Sequence, residues 1–161
     1  MKENKILLTN DGYNQFIEIL NNVEKTINDN GSNSTDACES ATGDGWHDNF
    51  SFESLVEDAR KLNYQLNKLY EDKLNIKLIE DNYDDNLINI NDIVTIKFVY
   101  DDNDYEIENI CLTGKYISNN NEITLNSPLG KCIYKKRIGS KLEYKVNDKT
   151  IKIEILNKLT K

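Results

Sequence analysis

The sequence predicts an α+β protein: an antiparallel α-helical coiled-coil hairpin, then a small antiparallel β-sheet domain with one short helix. Three observations predict it. Apolar residues recur at alternating spacings of three and four in two stretches of the N-terminal half. The period falls to two in the C-terminal half. Between the two regimes lies a polar break, Asp81-Asn82-Tyr83-Asp84-Asp85-Asn86. The expected organisation is therefore a hairpin over 1–80, a linker at 81–86 and a second domain over 87–161. A chain of 161 residues, 38% of them hydrophobic, can bury a modest core in one domain or two small ones.

The first helical seam is Tyr13, Phe16, Leu20, Val23 and Ile27. Thr9 is placed to cap it, and Asp11 sits near the positive end of its dipole. The second seam is Phe52, Leu55, Ala59, Leu62, Leu66 and Leu69, extended by Lys73 and Ile76. Between them, Asn30-Gly31-Ser32-Asn33-Ser34 is poor helix material, and Gly31 costs about 1 kcal/mol relative to alanine. The heptad nevertheless continues through Asn30, Ser34, Ala37 and Ala41. If the chain reverses near Gly45-Trp46, Ala41 meets Phe52, Ala37 meets Leu55, Ile27 meets Leu66 and Val23 meets Leu69. The first helix is thus expected to weaken near Gly31, resume around Ser34 and end near Thr42.

Past the break, Ile93–Tyr100 and Tyr105–Leu112 read as strands joined by Asp101-Asp102-Asn103-Asp104. Ser127-Pro128-Leu129-Gly130 opens a short helix, with serine as cap and proline in its first turn, running to about Lys136. Leu142–Val146 and Thr150–Leu156 close the chain as two more strands around an Asn147-Asp148-Lys149 turn.

Composition removes several functional classes. Three widely spaced cysteines, Cys38, Cys111 and Cys132, make neither a disulfide framework nor a zinc knuckle. The single histidine, His47, makes a multi-histidine metal site or a Ser-His-Asp relay hard to assemble. No run approaches the ~18 apolar residues of a membrane span, and Met1-Lys2-Glu3-Asn4-Lys5 lacks a signal-peptide core, so a cytoplasmic protein is expected. Charge is unevenly distributed. Residues 1–127 carry 10 basic and 25 acidic side chains, whereas 128–161 carry 10 basic and 3 acidic. From Thr26 to Ala59 there are eight carboxylates and no lysine or arginine. Such a segment cannot grip a phosphate backbone. It suits an electropositive channel, a hard cation or a solvated acidic face.

Several short motifs now fall into one order. They are Leu8-Thr9-Asn10-Asp11-Gly12, Gly43-Asp44 followed by Asp48-Asn49, Lys73-Leu74 through Ile79-Glu80, and Ile123–Lys131 with its Ser127-Pro128-Leu129-Gly130 centre. In sequence and spacing they resemble the Gre (GreA/GreB) family of bacterial transcript-cleavage factors. The resemblance implies a coiled-coil hairpin followed by an FKBP-like domain. It implies binding to bacterial RNA polymerase at the rim of its secondary channel, through Asn126, Ser127, Pro128, Leu129, Gly130 and Lys131. It also implies that Asp44 and Asp48, at the tip near 43–49, help the polymerase active site hold a catalytic Mg²⁺ that cleaves backtracked RNA at its 3′ end. The protein would be an accessory factor, not a free-standing enzyme. It would not bind Mg²⁺ tightly alone, would contact no membrane and would be monomeric when free.

The tip departs from the family pattern. Gly45-Trp46-His47 makes the separation one residue longer, and the second acid is an aspartate. Ser40 and Val56 stand where the family commonly carries arginines, and Asn126 replaces its usual aspartate. Trp46, the only tryptophan, reads either as a contact to a partner or base, or as a staple against Phe50 or Phe52. The lysine-rich run Lys131, Lys135, Lys136, Arg137 and Lys141 suits an acidic partner surface or plain solvation. One alternative follows: a cleavage-inactive regulator occupying the same channel. A prolyl isomerase would require an aromatic-lined apolar pocket, and Tyr100, Tyr105, Tyr116, Tyr134 and Tyr144 form no evident cluster in sequence.

Overall fold

A computed structural model of the chain describes residues 5–40, 50–80, 83–101, 104–147 and 149–159. By internal contacts the chain forms two units. One is Phe16–Asn75; the other joins Met1–Gln15 to Ile76–Lys161. The sequence reading placed the whole of 1–80 in the hairpin, whereas these contacts group the first fifteen residues with the sheet.

The first unit contains most of α1 (Asn10–Ser40) and all of α2 (Phe50–Asn75). Phe16, Leu20, Val23 and Leu69 are buried, and Ile27, Leu55, Ala59, Leu62 and Leu66 are half-buried, so the two heptad seams are the covered faces. The Tyr70 hydroxyl donates to Glu24 Oε1 at 2.6 Å. That bond sets Val23–Glu24 opposite Leu69–Tyr70, the register that the heptads predict. It also fixes the sense of the hairpin. From Glu24 to the end of α1 is roughly 24 Å of helix, and from the start of α2 to Tyr70 roughly 30 Å. A parallel pair would ask the nine residues 41–49 to span the sum, well beyond their extended reach of about 33 Å. The helices are antiparallel.

Two expectations need correction here. α1 is unbroken through Gly31, which faces open space with nothing for a side chain to meet. Ile76 is not on the helical seam. α2 stops at Asn75, and Ile76–Leu78 forms a strand, β2, parallel to β1 (Ile6–Leu8). The ladder extends to Ile79, whose N–H donates to Leu8 O. The partner for this β-branched stretch lies some 70 residues away in sequence, and a local heptad count cannot see it.

The remaining strands are β3 (Ile93–Asp101), β4 (Asp104–Thr113), β5 (Glu122–Thr124), β6 (Lys141–Val146) and β7 (Lys149–Leu159), in the order β5-β4-β3-β7-β6. All pairings are antiparallel except β4 with the short β5, which the period-two reading did not separate from its surroundings. Alternate residues Val94, Ile96 and Phe98 on β3, Ile110 and Leu112 on β4, and Ile153 and Ile155 on β7 face one core. Leu125, Leu129 and Ile133 complete it from beneath, the last two on α3 (Pro128–Ile133).

α3 ends earlier than the expected Lys136 because Lys135 takes a left-handed φ of 57°. That turn lets Lys135 N–H donate to Ile88 O while Ile88 N–H donates to Lys136 O. The later part of the expected linker is pinned as well: Asp84 closes an Asx turn on Asn86 N–H, and its backbone is held at both ends by the Asn89 amide.

Candidate functional site

The segment expected to meet a partner lies where β5 passes into α3. Ser127 caps α3: its Oγ accepts from Gly130 N–H at 2.9 Å and donates to Thr124 O at 2.8 Å, with φ −67° and ψ 156°. Pro128 follows in the first turn, where its missing N–H costs nothing. Gly130 lies against the chain it turns from, since a Cβ there would stand 2.0 Å from Thr124 O. Of the six residues, Leu129 and Gly130 are buried, Asn126 and Ser127 are half-buried, and Pro128 and Lys131 are exposed. The outward chemistry of this segment is one proline ring and one ammonium.

Asn126 has a role that sequence reasoning missed. Its Oδ1 accepts from Leu7 N–H at 2.8 Å, and its Nδ2 donates to Leu7 O at 3.0 Å. The amide thus imitates a neighbouring strand for β1, which an aspartate cannot do, having no proton to donate. Asn126→Asp should cost about 1 kcal/mol and Asn126→Ala about 2 kcal/mol, by loss of one and two such bonds. Thermal melting followed by circular dichroism should separate the pair by a few degrees in that order.

The opening motif Leu8-Thr9-Asn10-Asp11-Gly12 is explained at the same place. Thr9 Oγ1 accepts from Gly12 N–H as the predicted cap, and Thr9 N–H donates to Gly114 O at 3.1 Å. A Cβ on Gly12 would stand 2.0 Å from Gly114 O, so only glycine lets the first turn of α1 approach that loop. Gln15 then accepts from the N–H groups of Tyr116 and Ile117 and donates to Ile117 O.

Asp44, Trp46 and Asp48 lie outside the described residues, as does His47. Among the described residues, no group of three or more His, Cys, Asp or Glu side chains could hold a metal ion. Asp44 and Asp48, two carboxylates four positions apart in the sequence, are of the hard oxygen type that Mg²⁺ takes while keeping most of its water. Val56, in the place of one family arginine, is half-buried beside Glu53, Glu57 and Arg60.

The tyrosines divide between two sides of the sheet. Tyr105 lies under the Lys97 ammonium, 4.0 Å from ring centre. Tyr100 bonds Glu106 at 3.0 Å. That bond, with the charges of Glu106 and Glu108 and the proximity of Tyr144, raises the Tyr100 phenol above its ordinary range. Burial raises Tyr144 and likewise the Cys132 thiol, the latter opposed by Lys136. Tyr144 packs against the core beside Leu142 and Ile151, while Tyr100 is 52% exposed and held by Glu106.

An α-helical hairpin joined to a small antiparallel sheet with a capped short helix is the architecture of the chain. Residues 84–157 match the family described as transcription elongation factor GreA/GreB, C-terminal. Over those residues the chain is similar to the C-terminal domain of GreA/GreB elongation factors. Among solved structures it is similar to Thermus aquaticus Gfh1, at 14% identity and TM-score 0.46 over 96% of this chain and 97% of that one. It is also similar to GreA factor homolog 1 of Thermus thermophilus, at 14% identity and TM-score 0.44 over 96% and 99%. The elongation factor GreA/GreB from Nitrosomonas europaea gives 14% identity and TM-score 0.39 over 68% and 93%. A comparison with curated proteins finds no match. Among the described residues no helix is long and apolar enough to cross a membrane.

Proposed function

We propose that this chain is a cytoplasmic accessory factor of bacterial RNA polymerase, monomeric when free. It docks at the rim of the secondary channel and promotes cleavage of backtracked RNA by the polymerase's own active site. The observation that carries the proposal is the GreA/GreB C-terminal domain over 84–157. Docking falls to Asn126–Lys131, whose exposed members are Pro128 and Lys131. Lys131, Lys136, Arg137 and Lys141 are exposed and basic, suited to acidic surface, whereas the Lys135 ammonium is held internally by Asn89 at 2.8 Å. The acidic hairpin enters the electropositive channel, and Trp46 at its apex contacts the partner.

At the tip, Asp44 and Asp48 would hold Mg²⁺ jointly with the polymerase. The bound ion supplies charge neutralisation at the attacking and leaving oxygens of the phosphodiester. The two carboxylates supply negative charge on a narrow probe that reaches a site the polymerase leaves open. The second reading, occupancy without cleavage, is favoured by the longer tip and by Ser40 and Val56 in place of basic residues that would hold RNA.

RNA cleavage in stalled, backtracked elongation complexes with Mg²⁺ tests both. Cleavage stimulated by the wild type should fall at least tenfold with either Asp44→Asn or Asp48→Asn, which leave docking intact. No stimulation, together with displacement of a cleavage-active Gre factor from polymerase, would establish the second reading. No binding to polymerase at all would remove both.

A further inference from the structure

β4 spans Asp104–Thr113, yet β5 pairs with it only from Cys111 to Thr113. Among the described residues, no strand or loop bonds the outer side of β4 between Tyr105 and Asn109. Which backbone groups point there follows from one bond. Cys111 N–H donates to Asn121 O, on the β5 side. Backbone groups alternate along a strand, so Asn109, Ile107 and Tyr105 turn their N–H and C=O groups to that open side.

Side chains on this edge sort cleanly by face. Glu106 lies opposite Phe98 and Glu108 opposite Ile96, on the core-facing side of the sheet, and both are exposed. Glu106 bonds only the Tyr100 hydroxyl, and neither carboxylate has a lysine or arginine within ion-pair distance among the described residues. On the other face Tyr105 and Ile107 are 52% and 53% exposed. The edge therefore offers a row of unbonded amides and carbonyls, two uncompensated carboxylates two residues apart on one side, and an apolar pair on the other.

We propose that the open edge of β4, Tyr105–Asn109, docks an extended segment of a partner protein whose side chains alternate cationic and apolar. Added strands gain affinity from main-chain hydrogen bonds and specificity from alternate side chains. Here Glu106 and Glu108 would receive two cations, while Tyr105 and Ile107 would cover the apolar residues next to them. A second copy of the chain is a poor occupant. Pairing β4 with β4 sets these carboxylates against their own kind, which is how exposed edges resist self-association. The other edge strand, β6, places Leu142 on the face of Glu106, because both align with the Phe98–Ile153 pair. Its lysines Lys141 and Lys145 fall on the opposite face. This inference is independent of docking at the secondary channel.

The test uses the full chain and a short peptide alternating lysine and valine, with a scrambled peptide of the same composition as control. Amide exchange followed by NMR should show Tyr105, Ile107 and Asn109 gaining roughly tenfold protection or more with the alternating peptide. Glu106 and Glu108, whose amides already face β3, should not change. The Glu106→Gln/Glu108→Gln variant should bind the peptide about tenfold more weakly or worse. Ile107→Pro, which removes an outward N–H at a position where an edge tolerates proline, should abolish the protection. If that variant does not fold, the glutamine variant at two exposed positions still decides. Equal binding of the scrambled peptide, unchanged binding by the glutamine variant, absence of protection, or protection of the same amides by self-association would each overturn the proposal.

Discussion

Gly130→Ala should lower the melting temperature by roughly 10 °C or prevent folding. The new methyl carbon would stand 2.0 Å from Thr124 O, a backbone atom that Ser127 and Leu125 hold in place. Relief requires moving α3 away from β5. That movement breaks the Ser127 cap and uncovers Leu129 and Ile133, both part of the sheet's core. Overpacking a site that cannot relax costs about 3 kcal/mol, and each kcal/mol is worth about 2–4 °C in a chain of this size. Gly31→Ala is the control. Gly31 has nothing within 4 Å of its would-be Cβ, so alanine there should be neutral or slightly stabilising through helix propensity. Equal melting temperatures for the two variants would contradict the close approach at Gly130. A partner that reads Pro128 and Lys131 should also lose affinity with Gly130→Ala, since the α3 backbone sets where both project.

The sequence was most legible where the structure is locally periodic. The heptads placed both helices and their register, because a seam written every three and four residues needs no distant information. Four strands were legible by alternation, and Ser127-Pro128 marked the start of α3 through capping chemistry alone. β1 with β2, 70 residues apart, and β5 with β4, 11 apart, are pairings of only three residues, too short for a period of two to register. Asn126 reads in sequence as a surface residue of a docking motif. Only the approach of Leu7 shows its amide serving as a strand substitute. The pairing of Gly12 with Gly114 is legible as two glycines but not as one contact. Of the candidate site, the sequence named the Ser127 cap correctly, and it could not separate the exposed Pro128 and Lys131 from the buried Leu129 and Gly130 between them.

One physical theme connects these places. The segment from Thr124 to Lys131 is held from three directions: by Leu7 through Asn126, by Thr124 through Ser127, and by the core through Leu129 and Ile133. A segment held this way presents few groups but presents them rigidly, and any partner that reads it meets a low ordering cost. The open β4 edge works in the opposite manner, with main-chain groups that any extended partner could use and carboxylates that select among partners.

The largest effect should come from Lys158→Met, a substitution remote from both surfaces. Lys158 and Asp92 form an ion pair at 3.4 Å with side chains only 8% and 1% exposed. The ammonium also donates to Leu87 O at 2.7 Å and stands 5.3 Å from the centre of the Tyr83 ring. Asp92 Oδ2 accepts from Asn89 N–H at 2.8 Å, while its buried Oδ1 has no hydrogen-bond partner among the described residues. A carboxylate that is already half-satisfied depends on Lys158 for charge balance. Methionine fills most of the space and supplies no charge, so a buried anion is left uncompensated at a cost of about 3–5 kcal/mol. Melting temperature should then fall on the order of 10 °C. The double variant Lys158→Met/Asp92→Asn should recover at least half of that loss, because neutral asparagine can still accept from Asn89 N–H. Chemical denaturation of the wild type, both single variants and the double variant gives the coupling directly. A loss below about 1 kcal/mol for Lys158→Met, or no recovery in the double variant, would mean that water screens the pair after all. The predicted outcome has a structural corollary. Lys158 stands near the end of β7 and grips the turn that leads from the helices into the sheet, so its loss should raise amide exchange across Asp84–Asp92 before it affects the centre of β3.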